Sequence, residues 1–205
     1  GKIWFCDKLT SEIGYFTQNE VTILPQKASE NGFLYVYQYL ETADPDVVLL
    51  ATNQGLLALN VRTCALPDHY WSKGAGKHYF PYDNLHHLHR DKDGTYWAAT
   101  ANDGMVHFAD TPEGFKIIRR YTRTDGLSNN AVYAIYGDDY DNLWLATDYG
   151  INQFNKKTGQ FRNYTEKDGL SSNEFNRGAH FQGHDGSLYF GGMNGITAFN
   201  PRDFV

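Results

Sequence analysis

Short runs in which large apolar side chains alternate with small or polar ones come round five times along the chain. The clearest is Leu143-Trp144-Leu145-Ala146-Thr147-Asp148-Tyr149-Gly150-Ile151-Asn152-Gln153-Phe154. It is matched by the run from Tyr96-Trp97-Ala98-Ala99-Thr100 to Phe108, with one more residue before the glycine, and by the run from Leu188-Tyr189-Phe190 to Phe199. A weaker copy is Leu49-Leu50-Ala51-Thr52 through Leu59. The first copy, Ile3-Trp4-Phe5-Cys6, is interrupted by an insertion before Ile13-Gly14-Tyr15-Phe16. The second positions of these runs are residues 4, 50, 97, 144 and 189, at steps of 46, 47, 47 and 45. Self-similarity at a fixed period marks a repeat architecture.

A second signal keeps the same rhythm. Tyr121-Thr122-Arg123-Thr124-Asp125-Gly126-Leu127-Ser128-Asn129-Asn130 aligns with Tyr164-Thr165-Glu166-Lys167-Asp168-Gly169-Leu170-Ser171-Ser172-Asn173, and Tyr82-Asp83-Asn84-Leu85 is a degraded version. A third, Asp93-Gly94, Asp141-Asn142 and Asp185-Gly186, stands just ahead of the aromatic strands. Such pairs supply the positive φ of a two-residue hairpin turn. Each repeat therefore reads as four antiparallel strands, as at 131–136, 143–147, 151–154 and 160–164. Four strands in roughly 46 residues, repeated in tandem, make a β-propeller blade. The expected fold is all-β: a single partial β-propeller over 1–205, holding about four and a half blades. The blade units fall at about 1–27 (partial), 28–80, 81–124, 125–167 and 168–205 (partial). A β-sandwich competes, but its strands need no fixed period. Helical periodicity does not persist over three turns, which excludes an α-solenoid.

Composition agrees with many short strands and tight turns: Tyr 15, Phe 13, Trp 4 and Gly 20. Net charge is −6 without a run of Lys or Arg, so nucleic acid is a poor partner. No stretch approaches the ~20 apolar residues of a membrane span, and no direct membrane contact is expected. Gly1 leads at once into the strand-like Ile3-Trp4-Phe5, which reads as an internal boundary of a longer protein without a signal peptide. Cys6 and Cys64 lack a CxxC partner, so two free buried thiols are favoured over a disulfide, and a thiolate zinc site is unsupported. No cofactor is expected.

The 125–129 loop, the 143–147 strand and the 150–154 strand together resemble the two-component regulator propeller repeat. The last repeat adds Asn173-Glu174-Phe175-Asn176 and the run from Gly191 to Pro201, which is similar to the terminal blade of periplasmic sensors in Bacteroides-type hybrid two-component systems. The resemblance is strongest over 84–201, weaker over 46–60 and weakest over 1–35. One departure is Leu50 in place of the tryptophan, which a large apolar side chain can fill. The two ends can pair with each other to close a small five-bladed ring, but the resemblance favours a piece of a seven-bladed ring. It also implies a periplasmic, non-catalytic sensing and relay region of a membrane-bound sensor histidine kinase, responsive to glycan breakdown products. An oligosaccharide is the implied ligand. Association through open propeller edges, or through a receptor dimer, is expected. The alternative is a propeller enzyme acting on polysaccharide, or a lyase similar to the streptogramin lyases.

Individual residues refine this. Trp97, Trp144, Tyr189 and Trp4 share one repeat position and are expected to pack between blades. Gly104, Gly150, Gly195, Gly126 and Gly169 are expected turn formers. Loops leading into inner strands cluster near a propeller axis, where ligands bind. They supply the candidate ligand-binding residues Asn84, His86, Asp125, Asn129, Asn130, Asn173, Glu174 and Arg177. Ser128, Asn129, Ser171 and Asn173 can instead cap their own turns. His86, His87 and His89 form an unusual run, with His87 and His89 on one strand face. A metal there would need a third ligand from a neighbouring blade, and structural histidines are favoured. Asp138, Asp139 and Asp141 are hairpin residues matching Asp91-Lys92-Asp93, and no hydrolase motif occurs, so no catalytic residue is assigned.

Overall fold

In the computed structural model the described residues are 2–7, 9–24 and 33–204. They form five antiparallel sheets whose strands are neighbours in sequence order. The first holds β1 (Ile3–Asp7), β2 (Glu12–Phe16) and β3 (Val21–Ile23). The second holds β4 (Val36–Glu41), β5 (Val47–Thr52), β6 (Gly55–Asn60) and β7 (Ala65–Tyr70). The third holds β8 (Leu85–Arg90), β9 (Tyr96–Thr100), β10 (Met105–Thr111) and β11 (Gly114–Tyr121). The fourth holds β12 (Val132–Gly137), β13 (Asn142–Thr147), β14 (Ile151–Asn155) and β15 (Gln160–Tyr164). The fifth holds β16 (Phe175–Gln182), β17 (Leu188–Gly192) and β18 (Gly195–Phe199). Three sheets have four strands, and the first and last have three.

The turns explain why the repeated words recur. The hairpins before β9, β13 and β17 carry positive φ at Gly94 (86°), Asp141 (62°) and Gly186 (81°). At the next turn, Thr100 and Thr147 donate their hydroxyls to the carbonyls of Gly104 (2.9 Å) and Gly150 (3.0 Å). A Cβ on Gly150 would overlap the carbonyl oxygen of Tyr164, and its φ of 82° is one that L side chains avoid. The freed backbone then reaches forward: Gly104 N–H donates to Asn130 O (2.9 Å) and Gly150 N–H to Asn173 O (2.6 Å). Each such turn is therefore tied to the loop that opens the following repeat.

The chain divides into two compact units, 1–85 with 111–115, and 86–110 with 116–205. The first unit packs Ile13, Leu24, Leu34, Leu50, Leu57 and Leu59 into one core, with Trp4 and Tyr15 partly buried against it. Leu50 fills the place that a tryptophan takes elsewhere. Both cysteines lie in this unit as free, half-buried thiols, and burial pushes Cys6 up to about 11.

The second unit has two cores in succession. Trp97 packs with Leu127, Val132, Ile135, Leu143, Leu145 and Phe154, joining the third and fourth sheets. Trp144 packs with Phe175, Leu188 and Phe190, joining the fourth and fifth. Their indole N–H groups are buried too, and each donates to a hairpin carboxylate: Trp97 to Asp91 (3.0 Å) and Trp144 to Asp138 (2.9 Å). Both oxygens of Asp91 also accept from Lys156, in the turn between β14 and β15 (2.7 and 2.8 Å). Burial pushes the Asp91 carboxyl up, but Lys156 and Trp97 outweigh it and hold it below its ordinary value. The hairpin aspartates are thus turn residues that also fix the core tryptophans.

Tyr189 departs from the expectation of a buried packing residue, since it is 39% exposed. Trp144 is covered because the fifth sheet lies over it. Within the described residues of this unit no sheet lies over Tyr189, so the same repeat position faces solvent. Trp4 is likewise only half-buried.

Candidate functional site

The loops into β12 and β16 are built from their own polar side chains. In the first, the Asp125 carboxylate accepts from Thr122 N–H (2.9 Å), the Thr122 hydroxyl (3.2 Å) and Arg119 (3.2 Å). Those backbone and side-chain donors hold it below the usual carboxylate range. Asn129 Oδ1 accepts from Ala131 N–H and Asn130 Oδ1 from Arg123 N–H, each at 2.9 Å. In the second loop Asn173 Oδ1 accepts from Glu166 N–H at 2.9 Å. Ser128 and Ser171 bond forward to Asn152 (2.9 Å) and Thr197 (3.0 Å) of the third strands. These side chains satisfy backbone donors that a tight turn leaves open. Asn84 is exposed and belongs to the first unit.

Three of the candidates come together in the second unit. His86 is buried on β8, its Nδ1 donating to Val132 O at 2.9 Å, and its ring lies 5.4 Å from that of Tyr133. Burial lowers His86 to about 4, the Val132 bond opposes this, and the positive charge of Arg177 adds to it. The imidazole is therefore neutral at pH 7. The Tyr133 hydroxyl donates to Asp148 Oδ1 at 3.0 Å. Burial raises the Tyr133 phenol, Asp148 and Glu174 raise it further, and Arg177 opposes them. Glu174 and Arg177 are exposed, as is Tyr149 beside Asp148.

The result is a polar grouping of Asp148, Glu174 and Arg177 around Tyr133, whose ring lies beside a neutral buried histidine. It offers carboxylate acceptors, a guanidinium donor and aromatic faces, the groups that recognise a hydroxyl-rich ligand. The sequence reading passed over Tyr133 and Asp148. A usable signal existed: Tyr133 stands 47 residues after His86, at the same place in the next repeat.

His87 of the same run is also engaged. His87 Nδ1 accepts from Ile135 N–H (3.3 Å), and its ring lies edge-on to Tyr136 (5.0 Å) and His180 (4.7 Å). Among the described residues no group of three His, Cys, Asp or Glu side chains is placed to hold a metal.

Residues 126–149 match the family model described as two component regulator propeller. A histidine kinase of Formosa agariphila is 35% identical over 77 residues, covering 38% of this chain and 6% of the kinase. The extracellular domain of a putative one component system from B. thetaiotaomicron superposes with a TM-score of 0.76 at 17% identity, covering 98% of this chain and 28% of that one. For the extracellular domain of a putative hybrid two component system from the same organism the TM-score is 0.61 at 19% identity, covering 100% and 33%. The WD40 β-propeller domain of Doa1 gives 0.65 at 12%, covering 93% and 57%. These likenesses show the fold: the five sheets are successive blades of a β-propeller. The chain spans a third or less of the two B. thetaiotaomicron chains and a small fraction of the kinase.

Proposed function

From a chain that carries the two-component regulator propeller repeat, we propose a ligand-sensing and signal-relay role in the extracellular region of a membrane-bound sensor histidine kinase. The region is periplasmic, non-catalytic and part of a larger, seven-bladed ring. Support comes from the kinase relative and from the extracellular two-component domains that share the fold. No helix among the described residues is long and apolar enough to cross a membrane.

The ligand class is an oligosaccharide, and the observation that carries it is the grouping of Asp148, Glu174 and Arg177 around Tyr133, with Arg177 also acting on His86. Sugars present hydroxyls to carboxylate and guanidinium groups and apolar C–H faces to tyrosine rings. Asp125, Asn129, Asn130 and Asn173 shape the loops around this surface. Calorimetric titration with a panel of plant and algal oligosaccharides tests the reading. One oligosaccharide should bind, and Arg177→Ala and Glu174→Ala should each weaken it about tenfold, the loss of one charge-assisted hydrogen bond. Binding that ignores both substitutions would remove this site, and no binding by any glycan would remove the ligand class.

A further inference from the structure

β12 is the edge strand of the fourth sheet, and an open strand edge leaves backbone groups that need partners. Side chains of the neighbouring blade supply them. His86 Nδ1–H donates to Val132 O (2.9 Å), and His87 Nδ1 accepts from Ile135 N–H (3.3 Å). The first of these lies where the β12–β13 pairing shifts register, between Val132 and Ala134, and the second lies just beyond it. On the far side, the Tyr136 hydroxyl and His180 Nδ1 share a hydrogen bond (2.7 Å), and Gln182 Nε2 donates to Gly137 O (3.1 Å). β12 is thus held between β8 and β16 by imidazoles.

The bond at His87 has a fixed direction. A backbone N–H can only donate, so His87 Nδ1 must stay without a proton. We propose that His87 is a pH latch: protonation at Nδ1 sets two donors against each other and releases β12 from β8.

The surroundings give a second charge nowhere to go. His87 is faced by His89 on its own strand, by Tyr136 on β12 and by His180 on β16. No carboxylate is among them. Asp91 and Lys156 act on the more distant His89, and Arg177 acts on His86. Burial, then the His180 and His89 charges, hold His87 well below its ordinary value and outweigh the opposing pull of the Ile135 backbone, and burial lowers His180 to about 4. With folded values depressed, the open state binds more protons. The latch is fully closed above about pH 6.5, and closure is lost progressively as pH falls below that.

Amide hydrogen exchange of Ile135, corrected for its intrinsic rate, reads the latch directly. Between pH 7.5 and 4.5 its protection should fall about a hundredfold, because a freed histidine gains close to a tenfold proton advantage per pH unit below 6.5. The Leu145 amide on β13 should change by less than about threefold. His87→Asn keeps an acceptor near the Nδ1 position but does not titrate, so its Ile135 protection should match at both pH values. Equal protection of wild-type Ile135 at pH 7.5 and 4.5 would overturn the proposal, as would an undiminished acid response in His87→Asn. If that variant does not fold, the NMR titration of His87 in the wild type decides. Titration near 6.5 with Ile135 still protected overturns the latch, and a depressed value accompanied by loss of Ile135 protection supports it.

Discussion

At the scale of single residues, the repeat is enforced where backbone geometry admits only one side chain. Gly150 combines positive φ with the Tyr164 carbonyl where its Cβ would stand. Gly159 also has positive φ (70°), yet nothing lies within 4 Å of its Cβ position. The two positions separate the cost of conformation from the cost of collision. Gly159→Ala should lose about 1 kcal/mol and Gly150→Ala about 3 kcal/mol or more in urea denaturation. Equal losses would mean that the close approach of the outer strand carries no penalty. The same scale shows what the loops spend their polar groups on. Asp125, Asn129, Asn130 and Asn173 close their own turns, whereas Glu174 and Arg177 extend from the inner strand and its lead-in toward solvent.

Among elements, stability comes from sheets stacked face to face. Trp144 is 1% exposed beneath the fifth sheet, with Phe199 and Phe204 rings 4.8 and 5.2 Å away. Tyr189 holds the same repeat position on an uncovered face. Trp144→Ala should therefore cost about 3–5 kcal/mol, and Tyr189→Ala less than about 1 kcal/mol, by chemical denaturation. A comparable cost for both would show that something covers Tyr189 in solution. Lys156 and Asp91 make a further joint between the third and fourth sheets, with little water to replace either partner. Lys156→Met should leave the Asp91 carboxylate without its counter-charge and cost about 3 kcal/mol. Asp91 and Lys156 removed together should cost less than the sum of the single changes, which a double-mutant cycle measures.

For the whole molecule, the uncovered face of the fifth sheet is apolar. Phe181 (60% exposed), Tyr189 and Ile196 (70% exposed) lie together on it, across strands paired at Phe181–Tyr189 and Tyr189–Ala198. A chain of this length should therefore associate as its concentration rises, and Ile196→Asp should shift it toward monomer on a sizing column with light scattering. A wild-type chain that stays monomeric throughout would show that the face is tolerated by water.

The strand order, the hairpins and the β-propeller blades could be read from the sequence because their causes are local. A period near 46 residues, Asp-Gly turns and alternating apolar positions act within a few residues of themselves. Tertiary structure decided what equivalent residues become. Trp144 is core and Tyr189 is surface only because one has a sheet laid over it. His86 and His87 bind the backbone of the next blade, and Tyr133 meets Asp148 and the field of Arg177, through interactions between residues roughly 15 to 48 apart. Burial and electric field depend on those distant neighbours, which no short stretch of sequence contains.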